Sequence, residues 1–207
     1  RKGQLDVRKI IRLNAPHDGV LFRTAFRHKK IDRPKIVAIC DVSGSMAASS
    51  EFMLLFLWSL RDVLAGVRAF AFSNDLEEVT SMLEGKDSEK ATEEVIRSVG
   101  MGVTNYEQSL ETFKSQFFDT IDRKTTVIML ADARGRGGNP RSDIVREISQ
   151  RSKRLIWLNP EPEYSWGTDD SMMYHYKNLC HVVRSVNTAQ GLEVVISDLL
   201  EAERAGS

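Results

Sequence analysis

Five side chains that carry hydroxyl or carboxylate oxygens are spaced along the chain so that they could surround a single cation. Three stand in one short turn and two follow at later points; they are Asp41, Ser43, Ser45, Thr104 and Asp132. Gly44 gives the turn backbone freedom, so that the side chains around it can converge. Oxygen ligands without thiolate or imidazole suit Mg²⁺ or Mn²⁺ and not zinc. The pattern predicts a divalent cation site.

Short apolar runs and helical patterns alternate along the chain and would position these oxygens. Strands are predicted at 35–40, 67–72, 125–131, 155–158 and 181–186. Helices are predicted at 51–65, 88–98, 106–118, 143–153 and 192–204, with Ser142 and Thr188 as N-caps of the last two. The alternation predicts an α/β fold, in which helices cover both faces of a doubly wound, mostly parallel central sheet.

One pair of strand-like runs departs from this alternation. Residues 67–74 are followed at once by 76–83, and Ser73-Asn74-Asp75 between them is typical of a hairpin turn. We therefore expect one antiparallel edge strand. Ligands in such folds bind beyond the carboxyl ends of the strands, and both Asp41 and Asp132 come at the ends of predicted strands.

The Asp-x-Ser-x-Ser turn, together with the later threonine and aspartate, resembles the metal-ion-dependent adhesion site (MIDAS) of von Willebrand factor A (vWA) domains. More narrowly, the chain resembles the CoxE-like vWA proteins of bacteria and archaea. Four segments carry this resemblance: Arg1-Lys2-Gly3-Gln4-Leu5-Asp6, Cys40-Asp41-Val42-Ser43-Gly44-Ser45-Met46, Phe70-Ala71-Phe72-Ser73 and Arg154-Leu155-Ile156-Trp157-Leu158-Asn159-Pro160. The resemblance covers nearly the whole chain.

The resemblance implies a role for each of the five oxygen donors. Ser43 and Ser45 would bind the metal directly, Thr104 directly or through water, and Asp41 and Asp132 largely through waters. One coordination position would stay open for a Glu or Asp of a protein partner. The implied function is a metal-dependent protein–protein interaction module. The implied partner is a MoxR-type AAA+ ATPase, in machinery that assists the maturation or remodelling of metalloenzymes.

Two features of the chain depart from the usual vWA pattern. Val103 stands where glycine often precedes the threonine, which would make that loop stiffer or place it further out. Asp132 is followed by Ala133-Arg134-Gly135-Arg136-Gly137-Gly138 instead of glycine, with Arg141 soon after. These arginines could attract an acidic partner or compete with the cation.

An alternative function is that of a Mg²⁺-dependent phosphatase-like hydrolase of the haloacid dehalogenase type, which also has an aspartate at the end of its first strand. That chemistry needs a second carboxylate two residues later as an acid/base partner, and here the residue is Ser43. We therefore predict no catalytic residues and expect that the protein is not an enzyme.

The basic residues are gathered at one end of the chain. The whole chain has 29 Lys and Arg and 29 Asp and Glu, but residues 1–35 contain eleven Lys and Arg against three Asp. We predict a basic N-terminal extension at 1–33 and a vWA domain at 34–207. The extension lacks interleaved aromatic residues and a recognised nucleic-acid-binding module, so no nucleic-acid partner is expected.

The cysteines and the apolar runs bear on the cellular compartment. Cys40 and Cys180 form no disulfide framework, which favours reduced thiols in the cytoplasm. The longest apolar stretch, residues 52–58, is about a third of a membrane span, and no signal peptide pattern opens the chain. The polar loop around Trp166 has two open interpretations: a partner-contact loop, or a connection whose tryptophan folds onto the domain.

Overall fold

The computed structural model describes residues 35–44, 47–64, 66–85, 87–100, 102–135 and 138–205 of the 207. Within these ranges six strands form one sheet: β1 (Lys35–Asp41), β2 (Val67–Phe72), β3 (Leu76–Glu78), β4 (Thr125–Leu130), β5 (Arg154–Asn159) and β6 (Val182–Ser185). The predicted extension at residues 1–33 lies outside the described residues, and the division of the chain at residue 33 stays a prediction.

The order of strands in the sheet is β3-β2-β1-β4-β5-β6. All neighbouring strands run parallel except β2 and β3, which pair antiparallel, so the predicted α/β fold with one antiparallel edge strand is confirmed. Strand β1 pairs with both β2 and β4. The chain thus builds the sheet outward from β1 in both directions, and the carboxyl ends of β1 and β4 lie side by side where ligands bind in doubly wound folds.

The edge strand β3 is shorter than the predicted run of residues 76–83. It ends at Glu78, and the Thr80 hydroxyl then accepts a hydrogen bond from the backbone N–H of Ala69 at 3.0 Å, in the place of a strand partner. Turn hydrogen bonds from Met82 and Leu83 to the Val79 carbonyl close this segment. A side chain therefore takes over the pairing that the apolar pattern assigned to a longer strand.

The described residues form six α-helices, of which the first five lie between strands and the last follows β6: α1 (Ala47–Val63), α2 (Ser88–Val99), α3 (Tyr106–Thr112), α4 (Ser142–Arg151), α5 (Met173–Tyr176) and α6 (Ala189–Ala205). Helix α3 continues as a π-helical turn (Phe113–Phe117) and a 3₁₀ turn (Phe118–Thr120), and further 3₁₀ turns lie at Glu163–Ser165 and Lys177–Leu179.

The two predicted N-caps have different outcomes. The Thr188 hydroxyl accepts a hydrogen bond from the Gly191 N–H at 3.1 Å and caps α6, as predicted. Ser142 is instead the first helical residue of α4. The residue before it, Arg141, has a left-handed backbone (φ 46°) and makes no side-chain cap. The prediction for Ser142 is therefore wrong by one position.

Two apolar layers cover the two faces of the sheet. Alternate residues of β1 show this division: Ile36 and Ala38 pack in the layer that contains residues of α1, α2 and α6, whereas Val37 and Ile39 pack with residues of α3, α4 and α5. A central parallel strand is buried on both faces, which explains its continuous apolar sequence. Among the helices in the described ranges, none combines the length and the apolar character that crossing a membrane requires.

Candidate metal centre

Asp41 is the last residue of β1 and is fully buried. One carboxylate oxygen, Oδ1, accepts the Ser43 N–H at 2.9 Å, and the other, Oδ2, accepts a hydrogen bond from the Tyr106 hydroxyl at 3.3 Å. Burial raises the pKa of Asp41 from 3.8 to about 6, although hydrogen bonds from Ser43 and Tyr106 oppose the shift. The carboxylate is thus fixed in orientation, and its burial favours the protonated form.

Asp132 lies two residues beyond the end of β4 and is also buried. Its Oδ1 accepts the Arg134 N–H at 2.8 Å, and its backbone carbonyl accepts a hydrogen bond from Asn159 Nδ2 at 2.9 Å. Burial raises the pKa of this carboxyl to about 7, and the negative charge of Asp41 is the second cause. The two carboxyl groups therefore lie close enough to repel each other.

Ser43 is buried beside Asp41, and its hydroxyl and its backbone N–H both hydrogen-bond to that carboxylate. Gly44 does not play the predicted role. Its φ lies outside the left-handed region, and a Cβ added there would meet nothing within 4 Å, so the described turn does not require glycine. Ser45 lies outside the described residues.

Thr104 lies in the loop between α2 and α3, where it is partly exposed and lines a pocket of about 260 Å³. The loop is tied to the end of β2 by a hydrogen bond from the Asn105 N–H to the Ser73 carbonyl at 2.8 Å. The backbone of this loop packs closely against Ser73 at Gly102, where an added Cβ would lie only 2.7 Å from Ser73 Oγ. Val103 projects outward with 53% of its surface exposed. A valine is tolerated before Thr104 because the tight position is one residue earlier.

The donor chemistry of this edge fits a hard divalent cation. Two buried carboxyls and the Ser43 hydroxyl converge there, and Thr104 lines the adjoining pocket. The described part of the chain holds no group of three or more His, Cys, Asp or Glu residues placed to bind a metal. The predicted site does not need such a group, since three of its five donors are hydroxyls.

Sequence reasoning missed two residues that organise this edge. Tyr106, the first residue of α3, accepts a hydrogen bond from the Ala133 N–H at 3.0 Å while its hydroxyl donates to Asp41. Asn159 ends β5, and its Oδ1 accepts the Glu161 N–H at 2.8 Å while its amide holds the Asp132 carbonyl. Asn159 stands in a segment that carried the family resemblance, whereas Tyr106 gave no signal beyond its position two residues after Thr104.

The arginines after Asp132 are paired within the protein. The Arg134 guanidinium contacts both Glu161 oxygens, at 2.6 and 2.9 Å, and Asp170 at 2.9 Å. Arg141 pairs with Asp143 at 3.0 Å and with Glu111. Carboxylates of the chain thus already pair with both arginines, and their effect on an acidic partner or on the cation stays a prediction. Arg136 lies outside the described residues.

Trp166 folds onto the domain, as in the second of its two interpretations. Only 6% of it is exposed, its indole N–H donates to the Glu161 carbonyl at 3.1 Å, and the Lys177 ammonium lies 5.5 Å from the centre of its ring. The exposed aromatic residues near it are Tyr164 and Tyr174, with 86% and 71% of their surfaces accessible.

Solved structures resemble this fold at low sequence identity. A von Willebrand factor type A protein from Catenulispora acidiphila aligns over 85% of this chain and 43% of its own, with a TM-score of 0.56 and 15% identity. Proximal thread matrix protein 1 from the mussel byssus, with a zinc-occupied MIDAS motif, aligns over 82% of this chain and 47% of its own, with a TM-score of 0.54 and 14% identity. The chain spans less than half the length of each of these proteins. The similarity supports the fold.

Sequence comparison identifies the family. No curated protein matches the chain. The family described as VWA domain containing CoxE-like protein matches residues 1–195, which include the predicted N-terminal extension, the whole sheet described above and all of its helices except the end of α6. The chain therefore belongs to the family of VWA-domain-containing CoxE-like proteins.

Proposed function

We propose that this protein is a metal-dependent interaction module whose cation, Mg²⁺ or Mn²⁺, is held by Asp41, Ser43, Ser45, Thr104 and Asp132. The observation that carries the proposal is the convergence of two buried carboxyls, Asp41 and Asp132, at the carboxyl edge of the sheet. A divalent cation between them would offset both the burial of the charges and their mutual repulsion.

The donor set accounts for partner binding as well as metal binding. A cation held mainly by neutral hydroxyls remains electrophilic and attracts an acidic side chain of another protein. The chain's own contribution is to hold Asp41 through Ser43 and Tyr106 and to leave a pocket of about 260 Å³ beside Thr104. This pocket gives a Glu or Asp side chain of the partner a route to the proposed site.

We propose a MoxR-type AAA+ ATPase as the partner and the maturation or remodelling of metalloenzymes as the process. Membership of the CoxE-like family supports an interaction module. The choice of this partner and this process rests on the resemblance of the sequence to CoxE-like vWA proteins. Free Cys40 and Cys180 agree with the cytoplasmic location proposed from the sequence.

The geometry of Asp41 argues against a hydrolase in which this aspartate is the nucleophile. Asp41 is fully buried, and both of its carboxylate oxygens accept hydrogen bonds from neighbouring groups. A nucleophile needs an exposed oxygen and a general acid/base beside it, whereas here the position two residues on is occupied by Ser43. We therefore propose binding without turnover.

The proposal is tested by measuring metal binding and partner binding separately. Calorimetric titration with Mg²⁺, Mn²⁺ and Zn²⁺ should show one saturable site, which Asp41→Asn and Ser43→Ala both abolish. Zinc belongs in the series because it fills the MIDAS of the mussel protein. Asp122→Asn is the matched control, since it removes a carboxylate at the amino ends of the same strands, where Asp122 pairs with Lys35.

Partner binding is then measured by surface-based kinetics against a purified MoxR-type ATPase. Binding should be strong with Mg²⁺ and lost with EDTA, and Thr104→Ala should behave like EDTA. Full-strength binding in EDTA would place the interface elsewhere on the protein. Metal binding without any ATPase binding would retain the cation site and refute the choice of partner.

A further inference from the structure

The Tyr106 hydroxyl links the three loops that form the candidate metal centre. Tyr106 follows Thr104 in the second loop, and its ring is almost fully buried. Its hydroxyl donates to Asp41 Oδ2 at 3.3 Å in the first loop and accepts the Ala133 N–H at 3.0 Å in the third. Ala133 directly follows Asp132. The phenol therefore links all three segments that supply the proposed donors.

The ring of Tyr106 is held by other aromatic residues. Phe72, at the end of β2, meets it edge-on with ring centres 5.2 Å apart, and the rings of Tyr176 and Trp157 lie 6.0 and 6.5 Å away. The Trp157 indole N–H also donates to the Ala131 carbonyl at 2.8 Å, one residue before Asp132. These ring contacts fix the position of the Tyr106 hydroxyl relative to the strand ends, so that it does not move with the loops.

The third loop needs such an anchor because of its backbone conformation. Ala133 has a φ of 63°, in the left-handed region that residues with a Cβ disfavour. Two hydrogen bonds hold it there: the one from its N–H to Tyr106, and one from the Met172 N–H to its carbonyl at 2.7 Å. Loss of the phenol would release one of these two contacts at the residue next to Asp132.

We infer that Tyr106 is a positioning residue of the metal centre: its hydroxyl orients the Asp41 carboxylate and fixes the loop that carries Asp132. The inference rests on the proposed metal function. Groups that hydrogen-bond to metal-binding side chains set the orientation of those side chains, and their removal costs about 10-fold to 100-fold in metal affinity. Tyr106 would therefore raise affinity for the cation without touching it.

The test is Tyr106→Phe, which keeps the ring and removes only the hydroxyl. The dissociation constant for Mn²⁺, measured by electron paramagnetic resonance of the free ion, should rise about tenfold or more. The matched control is Tyr176→Phe, because Tyr176 lies in the same aromatic cluster but its hydroxyl donates to the Pro140 carbonyl at 2.7 Å. The control should lose some thermal stability and keep the Mn²⁺ affinity of the parent protein.

The outcomes separate this inference from the proposed function. If the parent protein shows no saturable Mn²⁺ binding, both fail together. If the parent protein binds Mn²⁺ and Asp41→Asn does not, the metal site stands. Under that condition, an unchanged affinity in Tyr106→Phe, or an equal loss in Tyr176→Phe, overturns the positioning role alone.

A second measurement covers the case in which Tyr106→Phe does not fold. The chain has four tyrosines, which can be labelled as 3-fluorotyrosine and observed by fluorine NMR in the otherwise unchanged protein. Phe variants of Tyr164, Tyr174 and Tyr176 assign three signals and leave the fourth to Tyr106. Mg²⁺ should shift the Tyr106 signal more than the other three. A Tyr106 signal that does not respond while Mg²⁺ binds would overturn the inference.

Discussion

At the amino ends of β1 and β4, charged side chains neutralise each other. The Lys35 ammonium lies 2.7 Å from Asp122 Oδ2, and Asp122 Oδ1 accepts hydrogen bonds from the Lys124 N–H and the Thr125 hydroxyl. These contacts, with Lys35 as the largest cause, lower the pKa of Asp122 to about 2. The pair is complete and partly exposed, and it needs no further ion.

At the carboxyl ends of the same two strands, both charged residues are acidic. Asp41 and Asp132 are buried, and their pKa values are raised to about 6 and about 7, chiefly by burial and, for Asp132, also by the charge of Asp41. The difference between the two ends separates a carboxylate that stabilises the fold from the two carboxylates that we propose hold the cation. An ionised carboxylate with a lowered pKa stabilises the folded protein without any ligand. Ionised carboxylates with raised pKa values destabilise it, and we expect a bound cation to remove that cost.

The largest expected effect is the loss of metal stabilisation in Asp41→Asn. A ligand at about 100 times its dissociation constant stabilises the native state by about 2.7 kcal/mol. For a domain of this size, that corresponds to a rise in Tm of about 5 to 10 °C. Differential scanning calorimetry should show this rise with Mg²⁺ in the parent protein and in Asp122→Asn, and none in Asp41→Asn. An equal rise in Asp41→Asn would place the cation elsewhere.

The second expected effect is a dependence of metal-free stability on pH that runs opposite to ordinary acid unfolding. The folded-state pKa values of Asp41 and Asp132 lie above the ordinary value of 3.8, so the folded state binds protons more tightly than the unfolded state. Their contribution to stability is complete below about pH 4 and is lost as the pH rises through about 6 to 7.

Mg²⁺ should reverse this dependence, because it binds the deprotonated carboxylates and its affinity rises over the same pH range. The measurement is urea unfolding between about pH 5 and pH 8, with and without Mg²⁺. Asp132→Asn should flatten the metal-free profile. If stability in EDTA does not fall across this range in the parent protein, the two carboxyls are not a strained pair.

The positions of Asp41 and Asp132 at the ends of strands could be predicted from the sequence. Asp41 and Asp132 each follow an apolar run, and the alternation of strands with helices brings the carboxyl ends of parallel strands to one edge. The turn at Ser43 was likewise recognisable. These predictions depend on local pattern and on general rules of topology, so they did not require knowledge of any particular side-chain contact.

The contacts between loops could not be predicted, because they join residues far apart in the chain. Tyr106 lies 65 residues from Asp41, and Arg134 lies 27 residues from Glu161. The sequence displays the positive charge of Arg134 but not the carboxylate that neutralises it. Glycine was misread for a similar reason: the tight approach at Gly102 depends on Ser73, whereas Gly44 has open space around it.

Arg134→Gln should have an intermediate effect on stability. It removes the ion pair with Glu161, which we call the clamp because it joins the loop after Asp132 to the segment after β5. Hydrogen bonds to charged partners contribute about 1.5 to 3 kcal/mol where they are shielded from water. Because about a quarter of each side chain is exposed, we expect a loss of only about 1 to 2 kcal/mol in the free energy of unfolding.

The Arg134 variant should also raise the pH at which metal binds, because Arg134 lowers the pKa of Asp132 and Glu161 raises it. Glu161→Gln is the matched control for this shift, since it removes the opposing charge and should lower that pH. A double-mutant cycle measures the coupling between Arg134 and Glu161. A coupling energy near zero would contradict the clamp.

The smallest expected effect is at the amino ends of the strands, where Asp122→Asn removes the partner of Lys35. The folded-state pKa of Asp122 is lowered, so its contribution to stability is present above about pH 4 and is lost as the pH falls through about 2. Both side chains are 41 to 50% exposed, and solvent screening limits the loss at neutral pH to about 1 kcal/mol or less. In about 1 M NaCl, where the screening length is about 3 Å, the difference in stability from the parent protein should shrink further.

Urea unfolding of Asp122→Asn, Lys35→Met and the double variant would measure the interaction energy of the Lys35–Asp122 pair directly. A loss as large as that of Arg134→Gln, or a changed Mg²⁺ affinity, would mean that the two ends of the strands are coupled, and the contrast between a self-neutralised end and a cation-binding end would not hold.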